Sequence, residues 1–286
     1  MIGLEEKRGQ GKPTPGKTCW ALEKLPPFPL VATRLMQMLS RDDVDITELG
    51  RTIAIEPVFA TRVLQMANSP LFALQGEVKT ISHAIVLLGL ERVKAITITR
   101  ALGDFVAPAL KVQALRVCWQ NSLATAILSE KLARACKMDP DFSYVAGLLR
   151  DIGRLALLVN YPGPYANLLA VSEENCFDLL ETERELFDID HCQAGALLME
   201  KLPFPPELHD VVAHHHNPPS GAFQMVHLVR IADLLADALG FAVVKQINGQ
   251  RFDEVLAQLP EPARARFVWD AETLASEIDS RIQSWQ

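Results

Sequence analysis

An arginine followed by an aspartate, Arg150-Asp151, lies within the apolar helical pattern Val145-Ala-Gly-Leu-Leu-Arg-Asp-Ile-Gly-Arg-Leu-Ala-Leu-Leu158. His191, the run His214-His215-His216 and Asp233 follow further along the chain. Imidazole and carboxylate ligate divalent transition metals, and a metal held with one open position activates water for hydrolysis. Arg150 opposes that chemistry. A guanidinium is a permanent cation with five donors and no acceptor, so it cannot ligate a metal and repels one nearby. It can instead take the space of a metal and bridge Asp151's neighbours, Asp233 or another carboxylate, or grip a phosphate with two parallel hydrogen bonds.

Each of these residues also has a structural reading. Neighbours on one helix point about 100° apart, so Arg150 and Asp151 are expected on different faces, with Asp151 able to pair with Arg154 at i+3. His191 precedes an amphipathic segment and reads as a helix start. The histidine triplet reads as partly exposed helix-end chemistry before Asn217-Pro-Pro219, favoured by the helix dipole, with His214 on the surface.

The elements that must position these residues are helices. Apolar residues recur at helical spacing at Val31, Leu35, Met38 and Leu39, at Ile46, Leu49 and Ile53, and at Val58, Val63, Leu64 and Met66. Asp45 and Pro57 mark two of the starts. The same period runs through Ile81–Leu90, Arg92–Leu102, Ala114–Ala135, Phe142–Val159, Ala194–Lys201 and Val226–Leu239, and a final amphipathic stretch covers Ala271–Trp285. Leu87, Leu88, Val145, Leu148 and Leu149 are expected to face the core. Strand alternation and hairpin signals are missing from the main body, so the expected class is all-α.

Asn68 and Ser69 are placed to cap or end a helix, with Pro70 setting the following turn. His83 reads as a packed or capping histidine, and Gly89 as a helix C-terminal glycine with the next helix starting near Glu91. Gly103-Asp-Phe-Val-Ala-Pro108 interrupts the helical pattern as a candidate linker, while Tyr161-Pro-Gly-Pro164 and Leu202-Pro-Phe-Pro-Pro206 read as tight helix connections. Neither a P-loop nor a dinucleotide fingerprint is present.

With 286 residues, 49% of them hydrophobic and 22% charged, the chain can build a sizeable core. Residues 1–18, rich in Gly, Pro and charge, read as a flexible tail without the apolar core of a signal peptide. No apolar run approaches the roughly 20 residues that span a bilayer. A cytoplasmic location without membrane insertion is expected. The five cysteines are scattered and never spaced Cys-x-x-Cys, which points to buried thiols rather than disulfides or a thiolate zinc site. A net charge of −7 gives no long-range attraction to phosphate backbones, so nucleic acid is not an expected partner.

Leu25-Pro-Pro-Phe-Pro-Leu30, Ile55-Glu-Pro57, Arg62-Val-Leu-Gln-Met-Ala-Asn-Ser69, Leu71-Phe72, Ile81-Ser-His-Ala-Ile-Val-Leu-Leu-Gly-Leu90 and Val145–Leu158 occur in this order. They resemble the successive motifs of the HDOD domain, the HD-related output domain of bacterial signalling proteins, over roughly Leu22 to Leu239. The resemblance implies two fused helical bundles, the second a degenerate HD-type bundle. It also implies signal transduction through protein contacts, usually without demonstrated catalysis; no cofactor is expected.

In HD-type phosphohydrolases the pair at Arg150-Asp151 is His-Asp. Trp119-Gln-Asn121-Ser122 stands where the family often shows Trp-x-His-Ser, and Asn121 is a weak neutral ligand. His191, His215 and Asp233 match positions that supply further ligands in HD relatives. A vestigial site of Asn121, Arg150, Asp151, His191, His215 and Asp233 is therefore expected without a metal; Asp151, His191, His215 and Asp233 are the positions that could hold one. A residual metal-dependent phosphohydrolase, or a nucleotide or phosphate-ligand sensor, is the alternative. The expected divisions are a tail at 1–18, an N-terminal lobe at 19–107, the degenerate HD-like lobe at 108–240 and a C-terminal extension at 241–286.

Overall fold

The computed structural model of the chain describes residues 20–23, 30–39, 41, 43–55, 57–68, 77–200, 205–218, 220–245 and 249–284. The tail, Ser69 to Phe72, the Leu202–Phe204 part of one connection, Asn248 and Trp285 lie outside them. Helices are the regular secondary structure of the described residues, which contain no strand. The first group of helices is α1 (Leu30–Leu39), α2 (Ile46–Ala54), α3 (Pro57–Ala67), α4 (Ile81–Leu88) and α5 (Leu90–Val106). The second comprises α6 (Arg116–Cys136), α7 (Pro140–Leu149), α8 (Ile152–Asn160), α9 (Pro162–Asn175), α10 (Leu179–Phe187), α11 (His191–Met199), α12 (Pro206–His214) and α13 (Met225–Ala236). Three shorter or terminal helices close the chain: α14 (Phe252–Leu256), α15 (Glu261–Arg264) and α16 (Ala271–Gln283).

Local signals account for many boundaries. The Asp45 carboxylate accepts the Glu48 N–H at 2.6 Å to start α2, and Pro57 is the first residue of α3. The Asn68 side chain donates to Leu64 O at 2.8 Å and Val78 O at 2.9 Å, and accepts the Val78 N–H at 2.7 Å. It thus ends α3 and fastens the returning chain to it. Gly89, at φ 89°, separates α4 from α5, which begins at Leu90.

Several expectations change. The segment Gly103–Pro108 does not interrupt the pattern: α5 runs through it to Val106, and two 3-10 turns then lead into α6. Gly103 packs against Trp119, where a Cβ would make an ordinary contact with the ring at 3.4 Å. Leu87 does not face the core. It is exposed and Leu88 half-buried, because Ala84 and Ile85 take the inner positions of α4 and the run Ala84–Leu88 carries no polar residue to mark the outer face. His83 is also exposed, at the third position of α4, where its N–H is capped by Thr80.

Val145, Leu148 and Leu149 are fully buried. Leu148→Ala is therefore expected to cost about 2–5 kcal/mol, and Leu87→Ala less than about 0.5 kcal/mol, in denaturant unfolding. Similar costs at the two positions would overturn the burial pattern.

The expected single helix over Phe142–Val159 is two helices, broken at Arg150-Asp151. Asp151 leaves the helical region at φ −98°, ψ 24°, and its carbonyl then accepts the Leu155 N–H that opens α8. The break is why Arg150 and Asp151, expected on different faces, both point inward and meet at 3.2 Å.

The last helices are tied into the body. Glu130 on α6 lies 3.1 Å from Arg92 of α5 and 2.9 Å from Arg281 of α16, Lys131 pairs with Glu277 at 2.8 Å, and Arg266 donates to Ala135 O at 2.6 Å. Burial alone would raise Glu130, but Arg281 and Arg92 outweigh it and hold the carboxyl at about 2, below its ordinary 4.5. A depressed folded-state value stabilises above the unfolded one, so this contribution is present above about pH 4.5 and is lost as pH falls toward 2. It amounts to about 3 kcal/mol. Glu130→Gln is expected to lower the melting temperature at neutral pH, with the gap to the parent closing in acid; a gap independent of pH would contradict the ion-pair assignment.

Candidate functional site

Six helices of the second group converge on the break between α7 and α8. Asn121 and Thr125 come from α6, Arg150 and Asp151 from the break itself, Arg154 from α8, Glu183 from α10, His191 from the start of α11 and Asp233 from α13. His215 and His216 follow α12 directly. All six expected positions, Asn121, Arg150, Asp151, His191, His215 and Asp233, thus lie in one neighbourhood. His191 begins α11 as expected, behind an Asp190 capping box with Gln193.

The neighbourhood has two halves. In the first, the Arg150 side chain is completely buried, the largest such side chain among the described residues. Its Nη2 donates to Asp233 Oδ1 at 2.6 Å and to Asn121 Oδ1, and lies 3.2 Å from Asp151 Oδ2; its Nη1 donates to Gly147 O at 3.1 Å. The Asn121 amide donates in turn to Phe241 O at 3.0 Å and Asp237 Oδ1 at 3.4 Å, and Thr125 Oγ1 donates to Asp233 at 3.4 Å. Arg150 therefore engages Asn121 and Asp233, two of the groups that would otherwise face a metal. No cation fits beside them without displacing the guanidinium.

In the second half, Asp151 Oδ1 lies 3.2 Å from His191 Nε2 and 3.2 Å from His215 Nε2, while His191 Nε2 is 3.0 Å from His216 Nε2. The outer nitrogen of each buried histidine has a fixed acceptor: His191 Nδ1 faces Glu183 Oε2 at 2.7 Å, and His215 Nδ1 faces Val211 O at 3.1 Å. Glu183 also accepts the His191 backbone N–H at 2.8 Å and the Tyr165 hydroxyl. Arg154 lies 3.5 Å from Asp151 Oδ2, as the i+3 spacing predicts, and 3.1 Å from His191 Nε2. The triplet is not uniformly exposed helix-end chemistry. His214 is on the surface, paired with Asp210 at 2.8 Å, but His215 is buried because the chain turns inward where α12 ends.

Electrostatics follow the charge count. Burial would raise Asp151, but Arg150, Arg154 and His191 hold it well below the usual carboxylate range. Burial and Arg154 would lower His191, but Glu183, Cys192 and Asp151 together raise it to about 10. Loss of hydration, with His215 and His191 beside it, holds His216 well below its ordinary range, although the residue keeps exposed surface at the mouth of the cavity. Burial and the adjacent Asp233 push Asp237 up to about 7, against Arg150. Sequence reasoning missed Asp237, Glu183 and Tyr165, and took His216 only as part of the histidine triplet. Only Asp237 had a local signal, standing four residues after Asp233 on the same helical face.

A cavity of about 520 Å³ opens on this cluster, with Asn121, Arg154, His191, His216, Asp233 and Asp237 toward the polar groups and Phe177, Leu179 and Val243 among its apolar walls. The residues present fit at most one metal, at Asp151 and the histidines. They do not fit a dinuclear centre.

Residues 25–218 match the HDOD domain family. The fold resembles an HDOD domain protein of unknown function from Geobacter sulfurreducens, 23% identical, covering 92% of each chain with a TM-score of 0.68. It also resembles a protein from Shewanella amazonensis SB2B, provisionally named a phosphohydrolase, at 23% identity, 92% of this chain and 94% of that one, with a TM-score of 0.63. An uncharacterized protein of Treponema pallidum (strain Nichols) is 21% identical over 269 residues, 93% of this chain and 51% of its own length. The chain thus spans about half of that relative. Asp233 and Asp237 lie beyond the family match, so the cluster is completed by α13 and the turn after it.

Proposed function

The chain belongs to the HDOD domain family, and we propose that it is a non-catalytic signalling module that acts in the cytoplasm through contacts with another protein. The observation that carries this reading is the buried Arg150 guanidinium, hydrogen-bonded to Asn121 and Asp233. Hydrolysis by a metal-activated water needs an open coordination position and oriented ligands. Here a fixed cation uses those acceptors, so the HD remnant serves as internal structure, and exposed surface is left to do the signalling. Apolar side chains are available for it, Val86 at 66% exposure on α4 and Leu186 at 44% on α10. No helix among the described residues is long and apolar enough to cross a membrane.

A second reading, a sensor of nucleotide or phosphate ligands, is favoured by the cavity, whose lining includes Arg154, His216 and Lys245. An arginine beside such a space can bind phosphate bidentately.

The test assays the purified protein, with and without added divalent metals, against cyclic dinucleotides and nucleotide phosphoesters. It then follows binding of a partner isolated from the native organism. No turnover is expected, and partner binding should fall with Val86→Asp or Leu186→Asp while the melting temperature holds. Metal-dependent turnover abolished by Asp151→Ala would overturn the reading. So would a nucleotide response lost in Arg154→Gln with partner binding unaffected by the surface changes.

A further inference from the structure

We propose that the cavity between the end of α5 and the start of α6 binds a small molecule that carries a phosphate monoester on an apolar or aromatic body. The cavity holds about 480 Å³, the size of pockets that enclose small ligands. Around it stand Arg100 and Asp104 of α5, Lys111 of the first 3-10 turn, and Arg116 and Trp119 of α6. It shares no lining residue with the cavity at the histidine cluster. Trp119 and Asn121 lie two residues apart on α6 and so point about 160° from one another, one beside each cavity.

The wall is basic in a chain whose net charge is −7. Arg100, Lys111 and Arg116 share it with one carboxylate, Asp104, which leaves two positive charges uncompensated. That carboxylate is taken up by Arg100, which reaches it through Nε at 3.1 Å and Nη2 at 2.5 Å. Lys111 and the Nη groups of Arg116 have no acidic partner among the described residues. Beside Arg100, Arg62 of α3 adds a like charge, since burial and the Arg100 guanidinium together lower Arg62 from its ordinary range. Two uncompensated charges match a phosphate monoester, which carries about −1.5 to −2 near neutral pH.

The cations are also oriented. Arg116 donates through Nε to Leu110 O at 3.1 Å, which holds the guanidinium and leaves its Nη fork for an anion. It stands in the first turn of a 21-residue helix, where the dipole favours an acid, yet α6 has no acidic residue there and no side chain caps it. A bound anion would supply the missing negative charge. The rest of the wall suits a carbon body. The Trp119 indole, only 5% exposed and packed against Gly103, is a fixed surface, and Leu110 continues it. A lone phosphate would leave most of the space and this apolar wall unfilled.

The full chain is titrated by calorimetry with phenylphosphonate, a non-hydrolysable mimic of a phosphate monoester on a ring. One equivalent is expected to bind, with an affinity that falls as salt is added. Inorganic phosphate, which lacks the ring, and benzoate, which lacks the second charge, should each bind at least about tenfold more weakly. Lys111→Gln and Arg116→Gln should each weaken phenylphosphonate binding about threefold or more, and the double variant at least about tenfold. Both side chains are exposed, so the melting curves of these variants should match the parent's. Lys245→Gln, exposed at the other cavity, should change nothing. Binding that is lost in Lys245→Gln and kept in the double variant would put the ligand at the histidine cluster and overturn the proposal. So would the absence of saturable one-to-one binding by the folded parent, or benzoate binding as tightly as phenylphosphonate. Turnover and partner binding are no part of these readouts, so the non-catalytic signalling reading stands or falls separately, by its own assays.

Discussion

Gly153→Ala is expected to destabilise the protein by about 3 kcal/mol or more and to displace His191 from Asp151. A Cβ at Gly153 would lie 2.0 Å from the His191 carbonyl oxygen and 2.4 Å from the Gly195 amide nitrogen. Both atoms belong to the backbone of α11, so no side-chain rotation relieves the clash, and α8 and α11 must move apart. The movement separates His191, the first residue of α11, from the carboxylate presented at the start of α8. Gly195, on the facing helix, is the comparison. Its added Cβ would meet the Val212 Cγ1 methyl at 2.5 Å, a side-chain atom able to shift, so Gly195→Ala should cost about 1–3 kcal/mol. Urea unfolding measures both, and the histidine resonances of the folded variants report the displacement. A Gly153→Ala protein within about 1 kcal/mol of the parent would show that the two helices do not cross as closely as described.

Much of this architecture can be read from the chain because it rests on local rules. Helical period, the Asp45 and Pro57 starts and the Gly89 separation depend on residues within a turn of one another. Asn121, Arg150, Asp151, His191, His215 and Asp233 come together as the ordered motifs imply, although they span more than a hundred residues of sequence. What escapes is set by tertiary contact. The run Val145–Leu158 has a helical period on both sides of Arg150-Asp151, so nothing in it marks the break that turns both side chains inward. Leu87 carries the same apolar signal as its buried neighbours, and only the packing of α4 sends it outward. Glu183 and Tyr165 are ordinary surface-helix residue types whose burial follows from the position of His191. His216 is distinguished from His214 only by where α12 stops.

Arg150→Ala is expected to cost about 3–5 kcal/mol, because it removes one member of a buried ion cluster and leaves the others without their cation. The side chain is fully buried and its guanidinium serves Asp233, Asn121, Asp151 and the Gly147 carbonyl at once. Removing it leaves Asp151 with Arg154 as its nearest guanidinium and Asp233 facing Asp237 across a void. Arg150→Met, which fills much of the space without charge, separates the two contributions. If lost charge dominates, Arg150→Met alone should be nearly as damaging as Arg150→Ala, and the double variant Arg150→Met with Asp233→Asn should recover a substantial part. The pH dependence carries a sign. Arg150 opposes the burial and Asp233 repulsion that lift Asp237 to about 7, so without it Asp237 resists ionisation further. Below that pH the folded state keeps the proton in both proteins; above it the parent can release the proton and the variant holds it, so the deficit of Arg150→Ala should widen as pH rises through about 7. Arg150→His should not create hydrolysis, since Asn121, a weak neutral ligand where the resemblance implies a histidine, remains tied to Phe241 O. An Arg150→Ala protein as stable as its parent at every pH would mean that the guanidinium does not hold these helices together.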